Sequence, residues 1–375
     1  MRVMQPAVLL GDYDWDERLV PRAEFAARLK DVWAALGGSG LAGLVVYGNK
    51  VDNAALAYLT YLTPKLDAAY ALVAPDGSVR IHSSGSPQMM MNAQRLTWVE
   101  GVKPLRDAGR HIAEWAETLG AGPLGLWTTE AMPAEQRPRL EEALKGRGLR
   151  DVGASLDPLL RRKSPVAVRL MRGACAALAA AIAALRRDFG RGTSARDALI
   201  AAETAAFDAG AQDVRLLASL RPGGTPTALD YPQGEKIDPL LAYIAVRHAG
   251  YWAEGMTTLA SGPSASLATA QAALQAMVAM AEDGARAADL AAAAREKLGG
   301  FLPHPAARHL AIGIGLAPEE TEAEPGGVVR LEAGRVYSLR AGALKAAGDA
   351  ALVSAMVAPK VGGTEILWSA IGPKA

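Results

Sequence analysis

The sequence predicts an α/β chain of the α+β kind in two domains, a smaller N-terminal α/β domain over residues 1–160 and a C-terminal domain over residues 161–375. Three observations predict it. At 375 residues the chain exceeds what one core usually holds, and 50% of it is apolar, enough for packed interiors. As far as Leu160, strand, hairpin and helices alternate as in a compact α/β unit. Beyond it the order changes to a helix pair, a hairpin, a second helix pair and closing strands.

From Arg22 to Leu36, RAEFAARLKDVWAAL places Phe25, Leu29, Val32 and Trp33 at helical spacing, and the glycines of GGSG stop it. LAGLVVYG reads as a buried strand. AAYALVAPDGSVRIHSS reads as a hairpin, because Pro75, Asp76 and Gly77 separate two apolar runs. A helix around GRHIAEWAETLG, a strand GPLGLW and a helix near AEQRPRLEEALKG complete this half. In RRKSPVAVRLMRG, Ser164 suits a helix cap and Pro165 the first helical position, where a missing amide proton costs nothing. A second helix starts at Ser194 and stops at Gly210. Strand-like VRLLASL, a Pro/Gly loop and the hairpin YIAVRHAGYWAEGMTTLASG follow, then alanine-rich helices from about Ser266 to Lys297. Strands return in GGVVRLEAGRVYSLRAG and AALVSAMVAPKVGGTEILW.

Composition excludes several function classes. Lys plus Arg number 40 against 39 for Asp plus Glu, so no charge excess argues for nucleic acid. The single cysteine, Cys175, rules out an internal disulfide or a cysteine-rich zinc site and sits where a buried structural thiol is expected. Acidic residues precede any long apolar run at the N-terminus, and no stretch has the roughly 18 uninterrupted apolar residues of a membrane span. A soluble cytoplasmic protein with no membrane partner is expected. GIGLAPEE lacks the Lys-Ser or Lys-Thr of a phosphate loop, and the acids of Ala317 to Pro325 lack calcium-loop spacing and read as a solvated loop. No Gly-x-Ser-x-Gly elbow occurs.

The element order resembles the pita-bread fold shared by methionine aminopeptidase, aminopeptidase P, prolidase and creatinase. RRKSP followed by LMR is similar to the opening of that domain, GYWAEGMTTLASG to its central hairpin, GIGL at Gly313 to Leu316 to its glycine-rich turn, and LEAGRVYSL and GGTEIL to its last strands. LAGLVVYG and NAALAYLT resemble the smaller domain of creatinase and prolidase.

The resemblance implies two divalent ions bridged by carboxylates, which polarise a carbonyl and lower the pKa of a bridging water. Carried over residue by residue, the ligand set is not reproduced. The second hairpin Asp falls on Glu254 and the first, eleven residues earlier, on Tyr243. The turn histidine falls on Ile312 without a gap, or on His309 with two residues inserted. The first closing Glu falls on Arg340 and the second near Ser354. A guanidinium in place of a bridging carboxylate opposes two cations and cannot lose its proton. No metal and no other cofactor is therefore expected, and Glu254 and Arg340, on neighbouring strands, are expected to form an ion pair at the old metal position.

Among the candidate residues, Glu254, His309 and His304 are the catalytic set, and Arg340, Tyr243, His248 and Tyr337 the substrate-binding set. Several have a plainer alternative. Glu254 could be an acid kept for stability, His304 and His309 loop residues, and Tyr337, like Tyr251, a packing residue. Strand alternation turns His248 away from the pocket unless a turn or bulge reverses it. Creatinase implies that such a fold can hydrolyse a C–N bond without metal, using a histidine as proton shuttle. The expected function is accordingly a metal-independent hydrolase acting on a small carboxylate or amino-acid-like substrate, with Arg340 binding a carboxylate. A non-catalytic binding module is the alternative, and a conventional Xaa-Pro metallopeptidase ranks third. Family analogy implies a homodimer.

Overall fold

The computed structural model describes residues 13–127, 132–227, 236–320, 329–346 and 348–371. The chain divides into two compact units, one over Tyr13–Arg162 and one over Lys163–Ala375.

The first unit runs α1 (Arg22–Ala35), β1 (Gly43–Asn49), α2 (Ala54–Thr60), β2 (Ala68–Val73), β3 (Val79–Ser83), α3 (Pro87–Arg95), β4 (Lys103–Pro104), α4 (Ala108–Ala116), β5 (Leu124–Trp127), α5 (Gln136–Ala143), β6 (Leu149–Asp151) and α6 (Gly153–Arg161). Its mixed sheet has the order β4-β3-β2-β1-β5-β6. Strands β1 and β2 read as unbroken apolar runs because helices cover both faces. Val45, Tyr47 and Leu72 pack with Ile112 and Trp115 of α4. On the other face Gly48 lies so close to α2 that a Cβ would stand 2.9 Å from Leu56. The β2–β3 hairpin turns where expected, with Gly77 at φ +86° and the Ser78 N–H donating to Asp76 at 2.8 Å. Helix α2 escaped the periodicity argument because all its residues are buried, which leaves no apolar stripe to recognise. Strands β4 and β6, of 2 and 3 residues, are too short to show alternation.

The second unit runs α7 (Pro165–Gly190), α8 (Ala195–Asp208), β7 (Asp213–Ala218), β8 (Leu240–His248), β9 (Tyr251–Leu259), α9 (Ala265–Ala279), α10 (Ala287–Leu298), β10 (Leu302–Pro303), a single 3-10 turn (Pro305–Ala307), β11 (Ala311–Gly313), β12 (Tyr337–Ala346), β13 (Asp349–Lys360) and β14 (Gly363–Ser369). The caps act as the sequence implies: Ser164 accepts from the Ala167 N–H at 3.0 Å and Ser194 from the Asp197 N–H at 3.1 Å. Gly210 follows α8 at φ +89°. By length and composition α7 passes for a membrane span, but Ala174, Leu178 and Leu185 are buried on the side packed against α8, β8 and β9. It is the core helix of this unit. Cys175 is buried in it, and burial pushes the thiol up to about 12.

Strands β7, β8 and β9 form an antiparallel sheet, and β10-β12-β13-β14 a second one with β11 also on β12. The sheets meet where β9 runs beside β13. Ser354 accepts from the Met256 N–H at 2.7 Å, and the Thr258 hydroxyl bonds the Leu352 N–H and C=O at 2.7 and 3.0 Å. One expectation is corrected: of GGVVRLEAGRVYSLRAG, residues 326–328 lie outside the described residues, and among the described ones the strand begins at Tyr337. Before it, Arg330 makes a lone bridge to Arg286 and the chain turns at Gly334, φ +81°. Of the acid-rich stretch from Ala317 to Pro325, residues 321–325 lie outside the described residues, and Glu320 is buried rather than solvated.

Candidate functional site

Glu254 lies at the centre of β9 with 0% exposure. The β8–β9 register sets Tyr243 opposite Met256 and Ala245 opposite Glu254, so Tyr243 and Glu254 are diagonal neighbours on one sheet face. The Tyr243 hydroxyl donates to Glu254 Oε2 at 2.8 Å. Arg340 donates from Nε to Oε1 at 2.7 Å and from Nη2 to Oε2 at 2.6 Å. Both carboxylate oxygens are thus held, in the bidentate geometry that guanidinium groups favour. Burial, and after it the charge of Glu254, raises the Tyr243 phenol well above its ordinary pKa, so the hydroxyl stays a donor.

The two charged residues do not come from neighbouring strands, as expected, because β13 lies between β12 and β9. Arg340 pairs with Ser354 on β13, and the small serine leaves room for the guanidinium to cross to Glu254. The surroundings are dry: Leu241, Met256, Ala307, Ala350 and Leu352 form an apolar cluster that Tyr243 packs against. In such a low-dielectric place, geometry this close is what keeps a buried ion pair tolerable.

The histidines do not converge here. His304 is 2% exposed, and its Nδ1 accepts from the Ala306 N–H at 3.1 Å, which caps the 3-10 turn; burial lowers its pKa. His309 is exposed, one residue before the Leu310 carbonyl that accepts from the Arg340 N–H at 2.9 Å. Strand β11 sets Ile312 opposite Ser338, on the face that Arg340 shares, so the ungapped position is filled by an apolar side chain. His248 is corrected outright: no bulge reverses it, its Nδ1 lies 3.0 Å from the Gly210 carbonyl, and its ring packs on Gly173 of α7. Tyr337 is also corrected. It is 0% exposed, three residues from Arg340 and so on the opposite strand face, with its hydroxyl accepting from the Glu332 N–H at 3.1 Å. None of the described histidines hydrogen-bonds Glu254, Arg340 or Tyr243.

Two features escaped the sequence argument. Arg215 of β7 stacks over the Trp252 indole, its Cζ 4.5 Å from the ring centroid, on the same face as Tyr243 and Glu254. Alternation in DVRLLA could have placed it there once the β7–β8 register was known. Beneath the glycine-rich turn, Lys163 Nζ meets Glu320 Oε1 at 2.5 Å, both side chains buried. Nothing local in the sequence links them. Among the described residues no group of three or more His, Cys, Asp or Glu side chains converges. A cavity of about 300 Å³ exists in the first unit, lined by Leu62, Thr63, Ser83 and Met90 among others and by none of the candidate residues.

The sequence model of metallopeptidase family M24 matches residues 169–363. No curated protein matches the chain significantly. Among solved structures, the X-Pro aminopeptidase from Thermotoga maritima MSB8 is similar at TM-score 0.75 and 15% identity over 92% of this chain and 98% of that one. The prolidase from Pyrococcus horikoshii OT3 gives 0.72 and 16% over 91% and 97%. The dipeptidase PepE from Mycobacterium ulcerans gives 0.67 and 21% over 92% and 96%. Likeness at such identities speaks to the fold, a two-domain pita-bread architecture.

Proposed function

We propose that this chain, which belongs to metallopeptidase family M24, is a metal-independent member that binds a small carboxylate or amino-acid-like ligand and does not hydrolyse it. The observation that carries this is the closure of Arg340 on both oxygens of Glu254. A pair of divalent ions needs several free carboxylate oxygens. At the family's ligand positions the described residues offer one carboxylate, Glu254, already held by a guanidinium and a phenol. That donor set does not fit two cations, since Arg340 keeps its positive charge at any working pH.

The same geometry favours binding over the metal-independent hydrolysis expected from the creatinase likeness. A proton shuttle must reach the reacting atoms within hydrogen-bond distance, directly or through one water. His304 is tied to its own turn, His309 faces solvent and His248 faces α7. What remains is a polar group, partly exposed only at Tyr243 and Arg340, among apolar side chains, the composition of a small-molecule site. The homodimer expected from family analogy belongs to the same proposal and is read by sedimentation equilibrium.

Elemental analysis of the purified protein, with binding and hydrolysis assays on glycyl-proline and creatine with and without manganese, tests it. Far less than one metal ion per chain, and no manganese-dependent turnover, are expected. Stoichiometric manganese, zinc or cobalt that is lost in Glu254→Gln would overturn it, and so would Xaa-Pro cleavage that starts when manganese is added.

A further inference from the structure

Resting on the pocket proposed above, we infer that Arg215, stacked on Trp252, is the residue that holds the carboxylate of the ligand, and that the ligand is a small monocarboxylate. Arg340 cannot fill that role as expected, because its Nε and Nη2 edge is closed on Glu254. Breaking that contact would leave a carboxylate buried with 0% exposure and no counter-charge.

Arg215 is built differently. The β7–β8 register sets it opposite Ala245 and sets Leu217 opposite Tyr243, so Arg215, Tyr243, Trp252 and Glu254 project from one sheet face. Trp252 is a fixed platform, 2% exposed, with its backbone N–H donating to the Gly315 carbonyl at 2.7 Å. The contact with the indole face holds the guanidinium beside a rigid neighbour that accepts none of its N–H donors. Arg215 is exposed, and no hydrogen bond or ion pair engages it among the described residues. A planar, pre-oriented and unengaged guanidinium is the arrangement that receives a carboxylate bidentately with little loss of side-chain entropy.

Charge sets the valence of the ligand. The face carries Arg215, Arg247 and Arg340 against Asp213 and Glu254, which leaves one positive charge. Arg247 is 3% exposed and donates to the Gly250 carbonyl at 3.2 Å, which leaves Arg215 as the accessible cation. Arg215 and Arg340 both act on the Tyr243 hydroxyl, lowering its pKa against burial and Glu254, so that hydroxyl lies within the field of both. A ligand with its carboxylate on Arg215 can lay its body toward Tyr243, whose side chain is partly exposed on the same sheet face. A single negative charge matches those surroundings; a dianion would not.

The test uses the full-length chain with selectively ¹⁵N-arginine-labelled side chains and the probes acetate, N-acetylproline and N-acetylprolinamide at constant ionic strength. Acetate and N-acetylproline are expected to shift the Arg215 Nε–H signal saturably, and the amide is expected to leave it in place. Arg215→Gln is expected to weaken N-acetylproline binding about tenfold or more, and Arg215→Lys less. Because the residue is exposed, both variants are expected to keep the wild-type unfolding midpoint. No saturable Arg215 shift with either carboxylate would overturn the assignment, as would equal binding of the amide. If Arg215→Gln binds N-acetylproline as tightly as wild type, Arg215 is excluded while the pocket stands. Failure of the pocket itself is read separately, as manganese-dependent turnover.

Discussion

Arg340 and Glu254, 86 positions apart in the chain, meet through two parallel N–H to oxygen contacts of 2.7 and 2.6 Å, with β13 lying between their strands. Their side chains are 12% and 1% exposed, so neither charge relies on water. Arg340→Met strands the Glu254 carboxylate and is expected to cost about 3–5 kcal/mol of stability. Adding Glu254→Met in the same chain is expected to restore most of it. Urea unfolding of the two variants against wild type checks this, and a double variant as unstable as Arg340→Met would refute the ion-pair account.

A second buried pair makes an independent case. Lys163 and Glu320, 1% and 6% exposed, lie 2.5 Å apart beneath the glycine-rich turn. Lys163→Met is expected to destabilise by roughly 3–5 kcal/mol through the uncompensated acid. A Cβ on Gly315 would stand 2.5 Å from Lys163 Nζ, so Gly315→Ala is expected to disturb the same contact. Unchanged urea midpoints for both would show that the pair is not a structural tie.

Gly255 lies where β9 meets the Trp368 ring, and an added Cβ would stand 2.6 Å from the indole and 3.2 Å from Leu178. Gly255→Ala is expected to cost about 1–3 kcal/mol by overpacking. Gly262, with nothing within 4 Å of its position, is the control, and Gly262→Ala is expected to be near neutral. Thermal unfolding of the pair reads the difference, and equal melting temperatures would contradict it.

Stability is expected to fall on mild acidification. His82 stacks on His111 with centroids 4.3 Å apart, and burial, then His111 and Lys103, lower its pKa from 6.5 to about 4. Between these values the unfolded chain binds the proton and the folded chain does not, so stability is lost as the pH drops through that window and levels off below it. Burial of His304 adds a loss of the same sign. His82→Phe is expected to flatten the profile, as measured by urea midpoints across the window, and an unaltered slope would exclude His82 as its source.

Local chemistry made much of the fold legible. Ser164 and Ser194 announce helix starts because a side-chain oxygen can satisfy a free amide, and both do so. The β8–β9 hairpin and its alternation place Tyr243 and Glu254 on one face and His248 on the other without any tertiary information. That Arg340 stands where an acid is implied came from the resemblance of the closing-strand motif, and with it the expectation of a partner for Glu254. The reach of sequence ends at periodicity: a period of two or 3.6 shows which face a side chain occupies and is silent about what the fold brings against it. That His304 caps its own turn, that Tyr337 points away from Arg340 into a buried contact, that Lys163 finds Glu320 157 positions later and that Arg215 settles on Trp252 were decided by strand register and by the meeting of β9 with β13. Those contacts are non-local. They form only when the apolar faces have already been buried together, so no window of neighbouring residues contains them.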